Sequence, residues 1–117
     1  MKTILIVEDT ELNVDLLTQL LEDDYQLLVA RDGAESVLVT EKNKPDLILM
    51  DISLPVMDGY EAARQIHQRY PTLPIIGISA NAMKSDHEKA IAAGCTDYLT
   101  KPIDENILLK KLQEYLG

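Results

Sequence analysis

Five short runs of apolar residues divide this 117-residue chain, and the pattern inside them limits the folds it can adopt. The first, third and fourth runs are continuous and do not alternate between apolar and polar residues. Such runs are typical of strands buried on both faces, as in a parallel sheet covered by helices. The five runs are Ile4–Val7, Leu27–Val29, Leu47–Met50, Ile75–Ile78 and the weaker Tyr98–Leu99.

The segments between these runs have helical spacing. Leu12, Leu16 and Leu20 recur every four residues, which is typical of one face of a helix. A similar stripe near the C-terminus consists of Ile107, Leu108, Leu112 and Leu116. Helix starts are predicted from N-cap side chains at Asp32, Asp58, Ser85 and Asp104. The pattern therefore predicts five β-α units in one α/β domain over residues 1–117, with a parallel sheet and right-handed crossovers.

Composition restricts the classes of partner. Apolar residues make up 46% of the chain, which excludes a disordered protein. The net charge of −9 opposes binding to nucleic acid or to anionic membranes, so we expect neither as a partner. Cys95 is the single cysteine, which excludes an intrachain disulfide, and no apolar stretch approaches the roughly 20 residues of a membrane span. We expect a soluble, cytoplasmic protein.

Polar side chains follow four of the five predicted strands. Glu8 and Asp9 follow the first strand and Asp51 follows the third. Ser79 follows the fourth and Lys101 the fifth. Sites in open α/β sheets form outside the carboxyl ends of the strands, so we expect these five side chains to meet at one edge. Each alone has an ordinary structural explanation, and the prediction rests on their coincidence.

Three carboxylates at one edge would repel one another, and a divalent cation relieves that repulsion. Oxygen ligands favour Mg²⁺ over zinc. A carboxylate can also attack phosphorus and form an aspartyl phosphate. The sequence therefore predicts that Asp9 and Asp51 bind Mg²⁺, while Lys101 and Ser79 bind further oxygens of a phosphoryl group on Asp51.

Four stretches of the chain resemble response-regulator receiver domains: residues 4–9, 45–59, 78–80 and 97–102. The resemblance implies a flavodoxin-like fold with strand order 2-1-3-4-5. It implies that a histidine kinase or a histidine phosphotransfer protein phosphorylates Asp51. Glu8 and Asp9 resemble the acidic pair of the family, and Asp51 with the carbonyl of Ser53 would complete the protein ligands of Mg²⁺. Ser79 and Lys101 resemble the hydroxyl and the lysine of the family.

The resemblance also implies a conformational switch. On phosphorylation the hydroxyl of Ser79 would move toward the phosphate, and an aromatic residue on the fifth strand, here Tyr98, would turn inward. The peptide bond between Lys101 and Pro102 would be cis. We expect a stand-alone receiver that acts by binding a downstream effector protein through its fourth helix, fifth strand and fifth helix.

Three other functions are compatible with parts of the pattern. A phosphohydrolase with an aspartyl nucleophile generally carries a second carboxylate two residues later, where this chain has Ser53. A flavodoxin-type cofactor binder would place phosphate beside Glu8 and Asp9, which would repel it. A receiver that folds but is never phosphorylated would have lost some of the five key side chains, and all are present. We therefore expect a protein that catalyses only its own phosphorylation and dephosphorylation, and not an enzyme that acts on other substrates.

Overall fold

The computed structural model describes residues 1–52, 59–80 and 84–117, with the side chains of 84–86 left out. The five strands form one parallel sheet in the order β2-β1-β3-β4-β5, which confirms the predicted fold class and strand order. Within the described ranges, no helix combines the length and the apolar character that a membrane span requires. The elements are β1 Thr3–Val7, α1 Glu11–Leu21, β2 Gln26–Ala30, α2 Gly33–Asn43, β3 Leu47–Asp51, α3 Gly59–Arg69, β4 Ile75–Ser79, α4 Lys84–Ala92, β5 Asp97–Thr100 and α5 Glu105–Leu116.

The sheet is buried on both faces, as the continuous apolar runs predict. Along β1, Ile4 and Ile6 pack with buried residues of α1 and α5 on one face. Leu5 and Val7 point to the other face and pack with buried residues of α3 and α4, and with half-buried residues of α2. Because neighbouring residues of a strand point to opposite faces, a strand between two helical layers needs apolar residues at every position.

The helix caps agree only in part with the sequence-based predictions. The carboxylate of Asp32 accepts the backbone N–H three residues later, and Asp104 caps α5 in the same way. The predicted cap at Ser85 is wrong, because α4 already includes Lys84 and Ser85 therefore lies inside the helix. The predicted cap at Asp58 falls outside the described residues.

The buried face of α1 is offset from its most regular leucine stripe. Leu12 and Leu16 are exposed, whereas Val14, Leu17 and Leu21 are buried against the sheet. Four-residue spacing advances 400° along a helix and drifts around its axis, so it does not by itself select the inner face. The exposed leucines give α1 an apolar outer surface beside the carboxyl edge of the sheet.

The start of β5 is bound to α5 by a polar cluster. The carboxylate of Asp97 accepts hydrogen bonds from Lys111 Nζ at 2.8 Å and from the Tyr115 hydroxyl at 3.0 Å. Partial burial opposes the charged form of Asp97, but these bonds and one from the backbone N–H of Tyr98 outweigh it and lower the pKa of this carboxyl group. The ionised carboxylate thus helps to hold α5 against the edge strand.

A close backbone approach joins β3 to α3. The N–H of Gly59, the first residue of α3, donates to the carbonyl oxygen of Ile52 at 3.1 Å. A β-carbon at position 59 would overlap the Cα of Ile52 and the carbonyl oxygen of Asp51. Glycine at this position therefore allows α3 to pack directly behind Asp51.

Candidate functional site

The carboxyl ends of four strands bring the predicted side chains together. Asp51 is the last residue of β3 and Ser79 is the last residue of β4. Each of these strands is thus one residue longer than its apolar run predicts. Glu8 follows β1, which pairs with β3, and Lys101 follows β5, which pairs with β4. All four residues, together with Asp9, thus lie at the edge that the sequence predicts.

Three carboxylates form a compact cluster at this edge. One oxygen from each of Glu8, Asp9 and Asp51 lies within 4.8 Å of the others. Glu8 and Asp51 are only 2% and 3% exposed, whereas Asp9 is exposed. Three negative charges this close, two of them out of water, favour the binding of a cation.

Lys101 is the cation that the described part of the chain places in contact with this cluster. Its Nζ lies 3.2 Å from Asp51 Oδ2 and 3.4 Å from Glu8 Oε2. Partial burial lowers the pKa of Lys101, but attraction to Asp51 and Glu8 outweighs this and raises the pKa overall. The ammonium group is therefore charged at neutral pH and bridges the two buried carboxylates.

The backbone around Lys101 is held against the end of β4. Its N–H donates to the carbonyl oxygen of Ser79 at 2.7 Å. The bond between Lys101 and Pro102 is cis, as the resemblance implies. The side chain of Ser79 is buried, with 4% exposed, at the same edge as Asp51. The predicted metal ligand Ser53 falls outside the described residues.

Glu8 is fixed by contacts that the sequence analysis missed. Its Oε1 accepts hydrogen bonds from the backbone N–H of Thr10 at 3.2 Å and from Asn13 Nδ2 at 3.3 Å. Asn13 lies in the first turn of α1, which starts immediately after the β1 loop. The sequence does show a polar residue in the first turn of a helix that follows an acidic strand end. It does not show in which direction the amide of that residue points.

Tyr98 lies half-buried on the edge strand β5 and stacks on His87 of α4. The two ring centroids are 5.0 Å apart and the rings are within 7° of parallel. His87 itself is exposed on α4. The stack links the aromatic residue of β5 directly to α4.

An apolar groove of about 830 Å³ lies beside the carboxylate cluster, between α1 and the segment that follows β5. Its inner end reaches Glu8 and Lys101. The exposed Leu16 forms part of its wall, so the apolar outer surface of α1 continues to the edge of the site. The other lining residues are Asn13, Leu17, Gln19, Leu20, Ala80, Pro102, Ile103 and Glu105.

The donor set suits a hard divalent cation. Carboxylate oxygens are the donors that Mg²⁺ prefers, and the exposed position of Asp9 leaves room for metal-bound water. The cluster contains no histidine or cysteine, which zinc favours. The residues at this edge therefore fit Mg²⁺.

Comparisons with known proteins agree with this geometry. Residues 4–113 match the family model described as the response regulator receiver domain. The chain belongs to the response-regulator receiver family. A curated relative of this receiver domain is the polar-differentiation response regulator DivK of Brucella anthropi. It is 37% identical over 99% of this chain and 97% of its own length.

Solved structures also resemble this chain in sequence and in fold. The receiver domain of a sensor histidine kinase from Pseudomonas aeruginosa is 38% identical, with a TM-score of 0.91 over 99% of this chain and 98% of that one. That structure holds a magnesium ion in its active-site cleft. Chemotaxis protein CheY4 of Vibrio cholerae is 29% identical, with a TM-score of 0.92 over 99% of both chains. Membership of this family favours the receiver over the phosphohydrolase and the flavodoxin-type cofactor binder.

Proposed function

We propose that this receiver domain, over residues 1–117, accepts a phosphoryl group on Asp51 from a phosphohistidine of a sensor kinase or phosphotransfer protein. The observation that carries the proposal is the carboxylate cluster of Glu8, Asp9 and Asp51, with Lys101 within 3.4 Å of two of its members. Such an edge would bring a nucleophile, a metal site and a positive charge together.

In the transfer, a carboxylate oxygen of Asp51 attacks the phosphorus and forms a P–O bond. The P–N bond to the histidine of the partner breaks, and its electron pair stays on the imidazole nitrogen, which takes up a proton. The product is an acyl phosphate. Phosphoryl transfer passes through a loose transition state and depends on positioning and charge stabilisation. The rigid strand end of β3 and the close packing of Gly59 position the nucleophile.

The residues around Asp51 have separate parts in this proposal. Glu8, Asp9 and Asp51, with the carbonyl of Ser53 that the resemblance implies, would hold Mg²⁺. When bound, this ion neutralises the negative charge of the phosphoryl oxygens. Lys101 would release its contact with Asp51 and bind a phosphoryl oxygen as a point charge, and the Ser79 hydroxyl would donate to another.

The same site would remove the phosphoryl group by hydrolysis, with water as the nucleophile. Water attacks the phosphorus, the acyl P–O bond breaks, and Asp51 leaves as a carboxylate with inorganic phosphate as the second product. Across the cycle, Asp51 would be the side chain of this protein that is covalently modified and then restored. The absence of a carboxylate at Ser53 supports this view, because aspartyl phosphohydrolases generally use one there as acid and base.

The groove beside Glu8 and Lys101 supports docking of the phosphoryl donor. A donor histidine must reach the carboxyl edge, and a protein that does so would cover the groove and the exposed Leu16. Leu16→Glu should slow transfer from a phosphohistidine protein without changing the reaction with acetyl phosphate. Equal slowing with both donors would contradict this docking surface.

The output would be a protein-binding surface formed by α4, β5 and α5 around Tyr98. The stack of Tyr98 on His87 supports this, since a movement of the tyrosine must change its contact with α4. The net charge of −9 opposes direct binding to nucleic acid, which supports a protein as the effector. A pull-down should recover an effector that distinguishes phosphorylated protein from Asp51→Asn, and identical capture by both would contradict the switch.

The main test is phosphorylation by acetyl phosphate, followed by intact-mass analysis. Wild-type protein should gain one phosphoryl group in Mg²⁺ and none in a chelator. Asp51→Asn should gain none, whereas Asp15→Asn, which removes an exposed carboxylate from α1, should react like wild type. An adduct that persists in Asp51→Asn, or that forms equally without Mg²⁺, would refute the proposal.

A further inference from the structure

The hydrogen bonds of Glu8 indicate that a residue which does not itself bind the metal positions one of the proposed ligands. Glu8 is buried, and both of its carboxylate oxygens have partners. Oε2 pairs with Lys101, while Oε1 accepts from the Thr10 N–H and from the Asn13 amide. We propose that Asn13 is a positioning residue, which orients the Glu8 carboxylate for Mg²⁺ and thereby sets the affinity of the site. This inference rests on the proposed magnesium site.

The chemistry of the amide suits this task. A buried carboxylate oxygen must have hydrogen-bond donors, and the single backbone donor of Thr10 leaves part of its capacity unused. Lysine or arginine at position 13 would supply donors but would add a positive charge beside the cluster. The neutral amide of Asn13 satisfies the oxygen and leaves the negative charge of Glu8 available to the cation.

The geometry indicates that the hydrogen bond from Asn13 orients the Glu8 carboxylate. Lys101 Nζ lies 3.4 Å from Glu8 Oε2 and 3.2 Å from Asp51 Oδ2, so Lys101 binds both carboxylates and not Glu8 alone. Thr10 is only two residues from Glu8 and moves with it. Asn13 is anchored in α1, whose buried Val14 and Leu17 fix the helix against the sheet. The Asn13 bond therefore ties the Glu8 carboxylate to the packed helix α1, whereas the bond from Lys101 is shared with Asp51.

The experiment measures Mg²⁺ affinity by NMR titration of wild type, Asn13→Leu and Asn13→Ala. Leucine keeps the branched shape of asparagine, although it is larger, and removes the donor, while alanine removes the donor without adding volume. Both variants should bind Mg²⁺ about tenfold more weakly, as is usual when a partner of a metal ligand is lost. Gln19→Leu is the matched control, because Gln19 is another amide on α1 that lines the same groove, and its affinity should equal that of wild type.

Phosphorylation by acetyl phosphate separates positioning from a general loss of structure. In Asn13→Leu the Mg²⁺ concentration for half-maximal rate should rise about tenfold, while the rate at saturating Mg²⁺ stays within about twofold of wild type. In wild type, the side-chain amide signal of Asn13 should shift during the titration. Unchanged affinity in both Asn13 variants would overturn this inference alone. A wild-type protein that does not respond to Mg²⁺ would instead overturn the metal site itself.

Discussion

Asp51→Asn should stabilise the protein when no divalent metal is present. The substitution keeps the shape of the side chain and removes one negative charge from the cluster with Glu8 and Asp9. It also removes the attraction to Lys101. Among the charged groups that the structure describes around Asp51, the sign of the effect depends on which of these is larger, and the distances allow an estimate.

Two unit charges 4.8 Å apart repel by about 0.9 kcal/mol in water and by about 3.5 kcal/mol at an effective dielectric constant near 20. Asp51 has two repulsions of at least this size, with Glu8 and Asp9, because 4.8 Å is the upper limit of these separations. Its attraction to Lys101 at 3.2 Å amounts to about 1.3 and about 5.2 kcal/mol on the same two scales. Net repulsion is thus about 0.4 to 1.7 kcal/mol, and the cost of burying the charge adds to it.

The assay is urea denaturation and thermal melting, in a chelator and then in saturating Mg²⁺. In the chelator, the free energy of unfolding of Asp51→Asn should exceed that of wild type by about 1 kcal/mol, or about 4 °C in melting temperature. Mg²⁺ at 100 times its dissociation constant should stabilise wild type by about 2.7 kcal/mol. The variant should gain much less, because it has lost a charged ligand.

Asp15→Asn changes the net charge by the same amount at an exposed position of α1. It should stay within about 0.5 kcal/mol of wild type and keep the full response to Mg²⁺. A lower stability of Asp51→Asn in the chelator would refute the reasoning, since Lys101 would then outweigh the two repulsions. An undiminished Mg²⁺ response of that variant would contradict the assignment of Asp51 as a ligand.

Three further substitutions test the packing behind Asp51 and the attachment of α5 to β5. Gly59→Ala should cost about 3 kcal/mol and slow phosphorylation of Asp51, because the new methyl group overlaps the backbone that ends β3. Gly77→Ala, which meets a looser contact, should cost less than half as much in the same denaturation assay. Asp97→Asn should cost about 1 kcal/mol at neutral pH, because the lowered pKa of Asp97 reflects stabilisation of its charged form by Lys111 and its other donors. That stabilisation is present above the pKa of about 4 of an unfolded Asp and is lost as pH falls through the lower folded value, so the two unfolding curves should converge in acid. A stability difference that persists at low pH would show that the loss is one of packing.

The buried parallel strands could be predicted from the residues, because burial on both faces demands uninterrupted apolar runs, and the chain displays these locally at β1, β3 and β4. The order of the strands was implied only by the resemblance to receiver domains, and the structure confirms it. The strand ends then place Glu8, Asp51 and Lys101 at one edge although Glu8 and Lys101 are 93 residues apart. Parallel connectivity places these strand ends at the same edge, and the strand order that the resemblance implies makes them neighbours.

Other features depended on the direction in which a side chain points. The exposure of Leu16, the stack of His87 on Tyr98 and the bond from Asn13 to Glu8 were not predicted. Each is set by the rotation of a helix about its axis relative to the sheet, which the packing of the whole domain determines.

Sequence by itself therefore determined the edge at which the chemistry lies, because strand ends are a local property of the chain. Only the tertiary structure decided how Glu8 is held there and how Tyr98 meets α4. Those contacts require two separately folded elements to meet at a particular rotation, and that rotation is a compromise among all the buried side chains.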